Sequence, residues 1–529
     1  MTHLQYADDT MIMVEGSDLD IINLKFLLLC FEAMSGLKIN FDKSEVVILG
    51  YSAEDQQRIA DNLNCKLATF PVTYLGMPVR DSRILVKDLD PLVERVKSKA
   101  APWQGRFTSK GSKTVLIDSC LSSLPMFMMG LYILPEGVHG SFDREMSRFF
   151  RQAANGRQKY HMVKWADICA PKEVGGIGIL ATRRMNEALM LKWVWRILRG
   201  DGGLWLQLVK AKYLRGCPLM ACERKEGSQF WRSLQAIKHE IRLGATFSVG
   251  DGGSTLFWLD SWLGERPLRY EFPELFAICS DPMLLVADAV HNGRWNIRFR
   301  RTFGLVEADR WEGLLASLPY SLTDTPDSVS WALSPSKCFT VRSAYRALFR
   351  GPVLAWTSHL WKAPMPLKIK IFTWQLLRDR LPSGVEVVKR FGPGDGSCPL
   401  CAVPESGTHI LFSCPAARFL WSFLAEALGP EWQAQDLAEF LEVQANRTGK
   451  RRRLFWLVFA AMTWTLWTIR NKMVIEHVFL RCASDSVFKF LAFLQHWHPL
   501  CRQRDKERLD GLIEKLLRAA RLLSASSSR

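Results

Sequence analysis

Four residues in one short loop constrain this chain more than any other feature: Cys398, Cys401, His409 and Cys414, spaced Cys-x2-Cys-x7-His-x4-Cys. Thiolate and imidazole are preferred ligands of zinc, and two ligand pairs on short segments punctuated by Pro399, Pro404, Gly407 and Pro415 can converge on a tetrahedron. With every position filled by protein, such an ion has no opening for substrate, so the expected cofactor is a structural Zn2+. The competing reading is four unrelated loop residues. The stretch from Arg342 to Arg380 holds eight Lys or Arg against Asp379 alone, a setting expected to favour thiolates over thiols. Most of the thirteen cysteines sit singly in apolar runs such as Leu29-Cys30-Phe31, which argues for a reducing compartment and against a secreted disulfide scaffold.

Lys plus Arg outnumber Asp plus Glu by 70 to 53, and the resulting +17 favours polyanionic partners, either nucleic acid or an anionic membrane surface. The basic residues are clustered: six lie between Arg95 and Lys113 without an acid, and eight lie between Arg183 and Arg215 against Glu187 and Asp201. Such runs read equally as solvated helix faces or as a groove along a phosphate backbone. Ahead of the zinc loop, Lys362, Lys368, Lys370, Trp374, Arg378 and Arg380 form a basic, aromatic series suited to RNA or single-stranded DNA, although Trp361 and Trp374 also read as core. The uncharged run Leu454 to Ile469 follows Lys450-Arg451-Arg452-Arg453 but is shorter than the roughly 20 apolar residues of a bilayer span, and is expected to be a buried helix. No membrane partner is expected. The opening MTHLQYADDT has no signal-peptide or transit layout, so nucleus or cytoplasm is expected rather than secretion, with Lys450 to Arg453 a weak import signal. The residues carry no signal for oligomeric state.

Along the chain, Leu4 to Val14 reads as a β-hairpin with Asp8 and Asp9 at its turn. Adjacent carboxylates there are either an ordinary exposed turn or a pair neutralised by divalent cations. A helix is expected over 18–34, capped by Asp18 and closed by Gly36, followed by strand from Ile39 to Leu49. Residues 54–215 read as mostly helical, broken by Pro71, Pro78, Pro102, Pro125, Pro135 and Pro171. Two further hairpins are expected, one over Phe247 to Trp258 around Gly250, Gly252 and Gly253, the other joining Val329–Leu333 to Phe339–Val341. Neither a P-loop nor a dinucleotide fingerprint is present. From Arg502 to Leu523 one helical face carries Leu509, Leu512, Ile513, Leu516, Leu517 and Ala520 and should pack on the body, with Ser524 to Arg529 expected to be disordered.

Together these segments resemble a known family. Leu4-Gln5-Tyr6-Ala7-Asp8-Asp9-Thr10 is similar to the palm carboxylate hairpin of non-LTR (LINE-type) retrotransposon reverse transcriptases, and Ser35 to Ser44 resembles the segment after it. Tyr74 to Pro78, Lys159 to Trp165, Pro171 to Gly178 and Phe257 to Leu263 resemble successive stretches of plant LINE polyproteins, and the Cys/His loop resembles their reverse transcriptase zinc-binding domain, with Trp421 and Trp467-x2-Arg470-Asn471-Lys472 downstream. The resemblance implies an α+β fold in six parts: a palm remnant (1–50), a basic helical thumb-like and connecting region (51–215), a mixed region with β-hairpins (216–335), the zinc-binding domain (336–425), a helical C-terminal region (426–523) and a disordered tail (524–529). It implies that Asp8 and Asp9 are catalytic carboxylates, holding Mg2+ with a third aspartate only in an intact parent polymerase. The fingers and that third aspartate have no counterpart ahead of Leu4, and the tail shows no spaced carboxylates like a ribonuclease H domain. The expectation is therefore a C-terminal, truncated portion of an RNA-directed DNA polymerase, inactive alone; the alternative is a non-catalytic, zinc-containing nucleic-acid-binding protein.

Overall fold

A computed structural model describes residues 2–103, 109–152, 160–319, 321–445 and 449–526. The architecture is mixed, with helices dominating and every strand among the described residues belonging to a two-stranded sheet. Among the described residues, buried apolar side chains form three cores.

The first core is small and N-terminal. Strand His3–Tyr6 pairs antiparallel with Asp9–Ile12, Tyr6 opposite Asp9, and Ala7 turns the chain at φ 51°. Helix Asp18–Ser35 starts one residue earlier than the Asp18 cap expected: the Ser17 hydroxyl accepts the Asp20 N–H, and Gly36 closes the helix at φ 71°. The strand expected from Ile39 to Leu49 shrinks to Glu45–Val46, paired in parallel with Lys66–Leu67. Asn40 is the cause, because its side-chain oxygen accepts the Lys43 N–H and its carbonyl the Ser44 N–H, which curls the chain into a turn. Ile21, Ile59 and Leu63 are the buried residues of this core. Beyond it, strands Val72–Tyr74 and Met77–Val79 form a hairpin whose central residues, Leu75 (φ 50°) and Gly76 (φ 76°), are both left-handed, as a tight two-residue hairpin turn requires.

The second core spans residues 188–348 and buries Trp231, Phe257, Trp258 and Trp331 between helices Thr182–Leu198 and Gln229–Ile237 and the chain after them. Both hairpins expected here are absent. Strand Ala245–Ser248 pairs instead with Ser328–Trp331, Phe247 opposite Val329, across some eighty intervening residues. Asp327 explains the exchange: its carboxylate accepts the backbone N–H groups of Gly250, Gly252 and Ser254 and the Thr255 hydroxyl, so the glycine loop wraps an anion instead of folding back. The Phe257-to-Leu263 segment is anchored by buried Asp260, which accepts from Arg242 Nε (3.0 Å) and from the Leu256 N–H (2.9 Å).

The third and largest core joins two distant parts of the chain, residues 89–179 and 360–520. Its axis is helix Gly449–Asn471, in which Phe455 to Met462 are all buried, as a helical stretch that is apolar on every side must be to escape water. No helix among the described residues is long and apolar enough to cross a membrane. Helix Gln503–Ser526 lays Leu509, Ile513, Leu516 and Ala520 into this core, and it continues through 524–526, where disorder was expected; 527–529 lie outside the described residues.

Candidate metal centre

The zinc loop is shaped by backbone hydrogen bonds before any ligand is considered. Glu405 N–H donates to Gly396 O (2.8 Å), Cys398 N–H to Val403 O (2.9 Å) and Ala402 N–H to Cys398 O (2.9 Å), with Ala402 left-handed at φ 53°. This tight turn sets Cys398 and Cys401 on one side. The second pair comes from a widened turn, His409–Ser413, in which Cys414 N–H reaches back to His409 O (2.7 Å); Cys414 then caps helix Pro415–Leu428.

The four ligand atoms lie within 4.8 Å of one another. Cys398 Sγ and Cys414 Sγ are 3.9 Å apart, and Cys401 Sγ and His409 Nε2 are 3.3 Å apart. A tetrahedral ion with Zn–S of about 2.3 Å and Zn–N of about 2.0 Å has edges of roughly 3.5–3.8 Å, so the donor set fits Zn2+. The sulfur separation is also far beyond a disulfide bond of about 2.05 Å. Cys398, His409 and Cys414 are buried and Cys401 half-buried, which leaves no open side for substrate.

The thiolate-favouring environment expected from the cationic stretch is absent. Burial pushes the Cys398 thiol up to about 12 and raises Cys414 as well, despite the backbone N–H of Ala416 at the latter. Burial also lowers His409. Desolvation is the largest cause at both thiols, and a bound metal ion would supply the positive charge that makes two buried thiolates acceptable. A neutral imidazole is already the form a metal takes.

Glu405, which sequence reasoning passed over, secures this loop. It is wholly buried between the ligand pairs, accepts the Gly384 N–H (2.8 Å) and receives Arg470 Nε at 2.8 and 3.0 Å. Arg470 in turn lies over the Trp467 ring (5.3 Å). The only sequence signal for this pair was the Trp467-x2-Arg470 segment downstream. Trp421 stacks on Phe412 (5.5 Å) and donates its indole N–H to Leu411 O (2.8 Å), holding the ligand-bearing turn on its helix.

The six residues of the basic, aromatic series divide. Trp374 is 1% exposed and donates to Gly175 O (2.7 Å), so its ring is core and cannot stack on a base. Arg378 also donates to Gly175 O (2.6 Å), and Lys370 to Trp361 O (2.8 Å). The Trp374 and Arg378 contacts tie helix Leu367–Leu377 and its end to the Pro171-to-Gly178 turn, where Gly176 admits no side chain because a Cβ would sit 1.7 Å from Ala170 O. Lys362, Lys368 and Arg380 remain exposed, Lys368 over the Trp464 ring (5.0 Å). Asp8 and Asp9 are exposed on their hairpin, and among the described residues the Cys/His set is the one group of three or more side chains placed to hold a metal ion.

Residues 339–421 match the family described as zinc-binding in reverse transcriptase. Over 408 residues, 74% of its length, the chain is 27% identical to an Arabidopsis thaliana protein provisionally described as a ribonuclease H protein, and it spans 65% of that relative. Over 149 residues, 28% of its length, it is 28% identical to an uncharacterized mitochondrial protein of the same plant, spanning 97% of that one. Residues 339–421 are thus similar to the zinc-binding domain of reverse transcriptases, and this segment is the one that holds Cys398, Cys401, His409 and Cys414.

Proposed function

We propose that this chain is the nucleic-acid-handling portion of a plant LINE-type retrotransposon reverse transcriptase, in which a structural zinc holds a basic body against RNA or single-stranded DNA. The observation that carries this reading is the convergence of four zinc-competent ligands inside a segment matching reverse transcriptase zinc-binding domains. The excess of 17 positive charges and the exposed Lys362, Lys368 and Arg380 within that segment supply the contacts to phosphate.

Asp8 and Asp9 are read as the palm carboxylates that hold Mg2+ in an intact parent polymerase. Among the described residues no third metal-competent side chain joins them, so two-metal catalysis by these residues alone is not included. The role of the chain by itself is then binding, which unites the polymerase-derived reading with that of a non-catalytic zinc protein. Two measurements test it. Purified protein should carry about one zinc per chain by elemental analysis, and should bind a labelled single-stranded RNA with affinity falling steeply from about 50 to 200 mM salt. Protein that binds no RNA at the lower salt is not what we describe, and robust primer extension with Mg2+ would show that Asp8 and Asp9 have a partner after all.

A further inference from the structure

Between the turn Lys210–Leu214 and helix Gln229–Ile237 the chain makes a detour, residues 215–228, that forms one wall of an open cavity of about 1100 Å3. Arg215 starts the detour in the left-handed region (φ 48°), and Ser228 ends it by capping the helix, its hydroxyl accepting the Trp231 N–H. Buried side chains pin it between those ends. The Lys238 ammonium, 3% exposed, donates to Leu219 O and Cys222 O, and the Trp231 indole N–H donates to Arg224 O (2.8 Å). The Ser228 N–H donates to the Tyr213 hydroxyl oxygen (3.2 Å), and the Tyr213 ring stacks on Trp231 (4.7 Å).

Holding a loop this firmly costs conformational entropy, yet what the loop displays is charge that the protein itself does not use. Arg215, Arg224 and Lys225 are exposed around the cavity, and none of them forms an ion pair with a described residue. With Lys212 and Lys238 the lining carries five cations against Glu223 and Glu226. The wall between them is neutral and rich in donors. Gln235 is 8% exposed and its amide nitrogen has no acceptor; a half-turn of the amide exchanges oxygen and nitrogen, so the side chain can meet an acceptor-bearing occupant with its N–H2. His239 accepts from Arg242 through Nδ1 (2.8 Å), and Arg242 is in turn fixed by buried Asp260, so the other ring nitrogen, Nε2, carries the proton and donates. Burial, then Arg242, Lys238 and Arg269, lower His239 to about 4, which keeps this ring neutral at pH 7. Half-buried Met283 adds a soft apolar contact to the same lining.

An occupant that uses all of this combines anionic groups at the rim with a flat, acceptor-bearing group inside, and a nucleotide with an unpaired base is such a molecule. We propose that this cavity seats a nucleotide unit of a single-stranded nucleic acid, with Arg215, Arg224 and Lys225 on the phosphates and Gln235 and His239 on the acceptor edge of the base. The inference rests on the nucleic-acid reading above and adds a location outside the zinc-binding segment. The size agrees: about 1100 Å3 exceeds the roughly 300–1,000 Å3 of pockets that enclose one small ligand, which leaves room for a strand to enter and leave. A duplex has its bases paired and stacked, and inorganic phosphate would leave Gln235, His239 and Met283 without a role.

The experiment uses the full zinc-loaded chain and a fluorescein-labelled oligo(U) RNA, with anisotropy measured across a salt series. Arg224→Gln combined with Lys225→Gln changes exposed side chains and keeps the Arg224 carbonyl that Trp231 holds; it should weaken binding about tenfold and make the salt slope shallower by about one to two. Lys515→Gln with Arg521→Gln removes the same charge from exposed positions of helix Gln503–Ser526 and should change affinity by less than about twofold. His239→Ala removes a neutral donor, so it should weaken oligo(U) binding by about threefold to tenfold with the salt slope unchanged, and should leave binding of a duplex of equal length as it was. If the Arg224/Lys225 variant keeps wild-type affinity and slope, or loses no more than the Lys515/Arg521 control, the strand runs elsewhere: the proposal falls while the nucleic-acid reading stands. If His239→Ala is silent and the Arg224/Lys225 variant weakens duplex and oligo(U) alike, the cavity is a charged surface and seats no base, which also overturns the proposal. A wild-type chain that binds no oligo(U) at low salt sinks the nucleic-acid reading itself.

Discussion

Glu405 lies buried between the two ligand pairs and meets the Arg470 guanidinium through both carboxylate oxygens. Changing Glu405→Gln keeps its shape but leaves Arg470, with a side chain 11% exposed, without a counter-charge; a loss of about 3–5 kcal/mol is expected in denaturant unfolding of zinc-saturated protein. A loss below about 1 kcal/mol would mean that the pair does not hold the loop. Asp327 offers a test with a defined pH sign. Burial raises its carboxyl, but donors from Gly250, Thr255, Ser254 and Gly252 together outweigh burial and hold it below the usual carboxylate range. A depressed carboxylate contributes stability that is present above the unfolded value of about 3.9 and is lost as pH falls through the folded value. Asp327→Asn should therefore destabilise the protein by about 1–3 kcal/mol at pH 7, and the gap from wild type should close below about pH 4 when followed by circular dichroism. Neither residue was legible as important: a lone Glu or Asp in a loop looks the same whether its partner is solvent or an arginine 65 positions away.

Among the elements, the zinc loop was readable because its ligands are close in sequence and metal chemistry permits few side chains. Helix Gly449–Asn471 was readable because sixteen uncharged residues are too few to span a bilayer and too apolar for a surface. The hairpins of the middle region were misread for a definite reason: alternating residues around glycines look alike whether the strand pairs with its neighbour or with a strand eighty residues on. Removing the metal tests the loop. Burial keeps Cys398 and Cys414 protonated without zinc, so chelation should cost about 3–4 kcal/mol relative to a free zinc level of roughly 100–1,000 times the dissociation constant. Hydrogen exchange should then accelerate at 396–414 first. Unchanged exchange there after verified zinc loss would show that the turn stands on its backbone hydrogen bonds alone.

Across the whole molecule, the three cores differ greatly in size. The N-terminal one buries three residues, while its helix exposes Phe26 at 65% and Met34 at 88%. Local unfolding follows the least buried apolar area, so amides in 18–67 should exchange at least about tenfold faster than those of helix Thr182–Leu198 under native conditions; comparable protection would reveal a stabilising contact absent from this core. The largest core closes only when residues 89–179 meet residues 360–520, with Trp374 donating to Gly175 across 199 positions and Lys110 reaching Gln375 (3.0 Å). By itself the sequence determined what depends on neighbours: the ligand spacing, the apolar helix, the Gly36 cap and the net charge, because those follow from local geometry and composition. The tertiary structure alone decided which cations face solvent and which are spent on carbonyls, where Asp327 and Glu405 find their donors, and which arginines gather around a shared cavity. Such pairings depend on distance in space, and for segments separated by more than a hundred residues chain order places almost no limit on that distance.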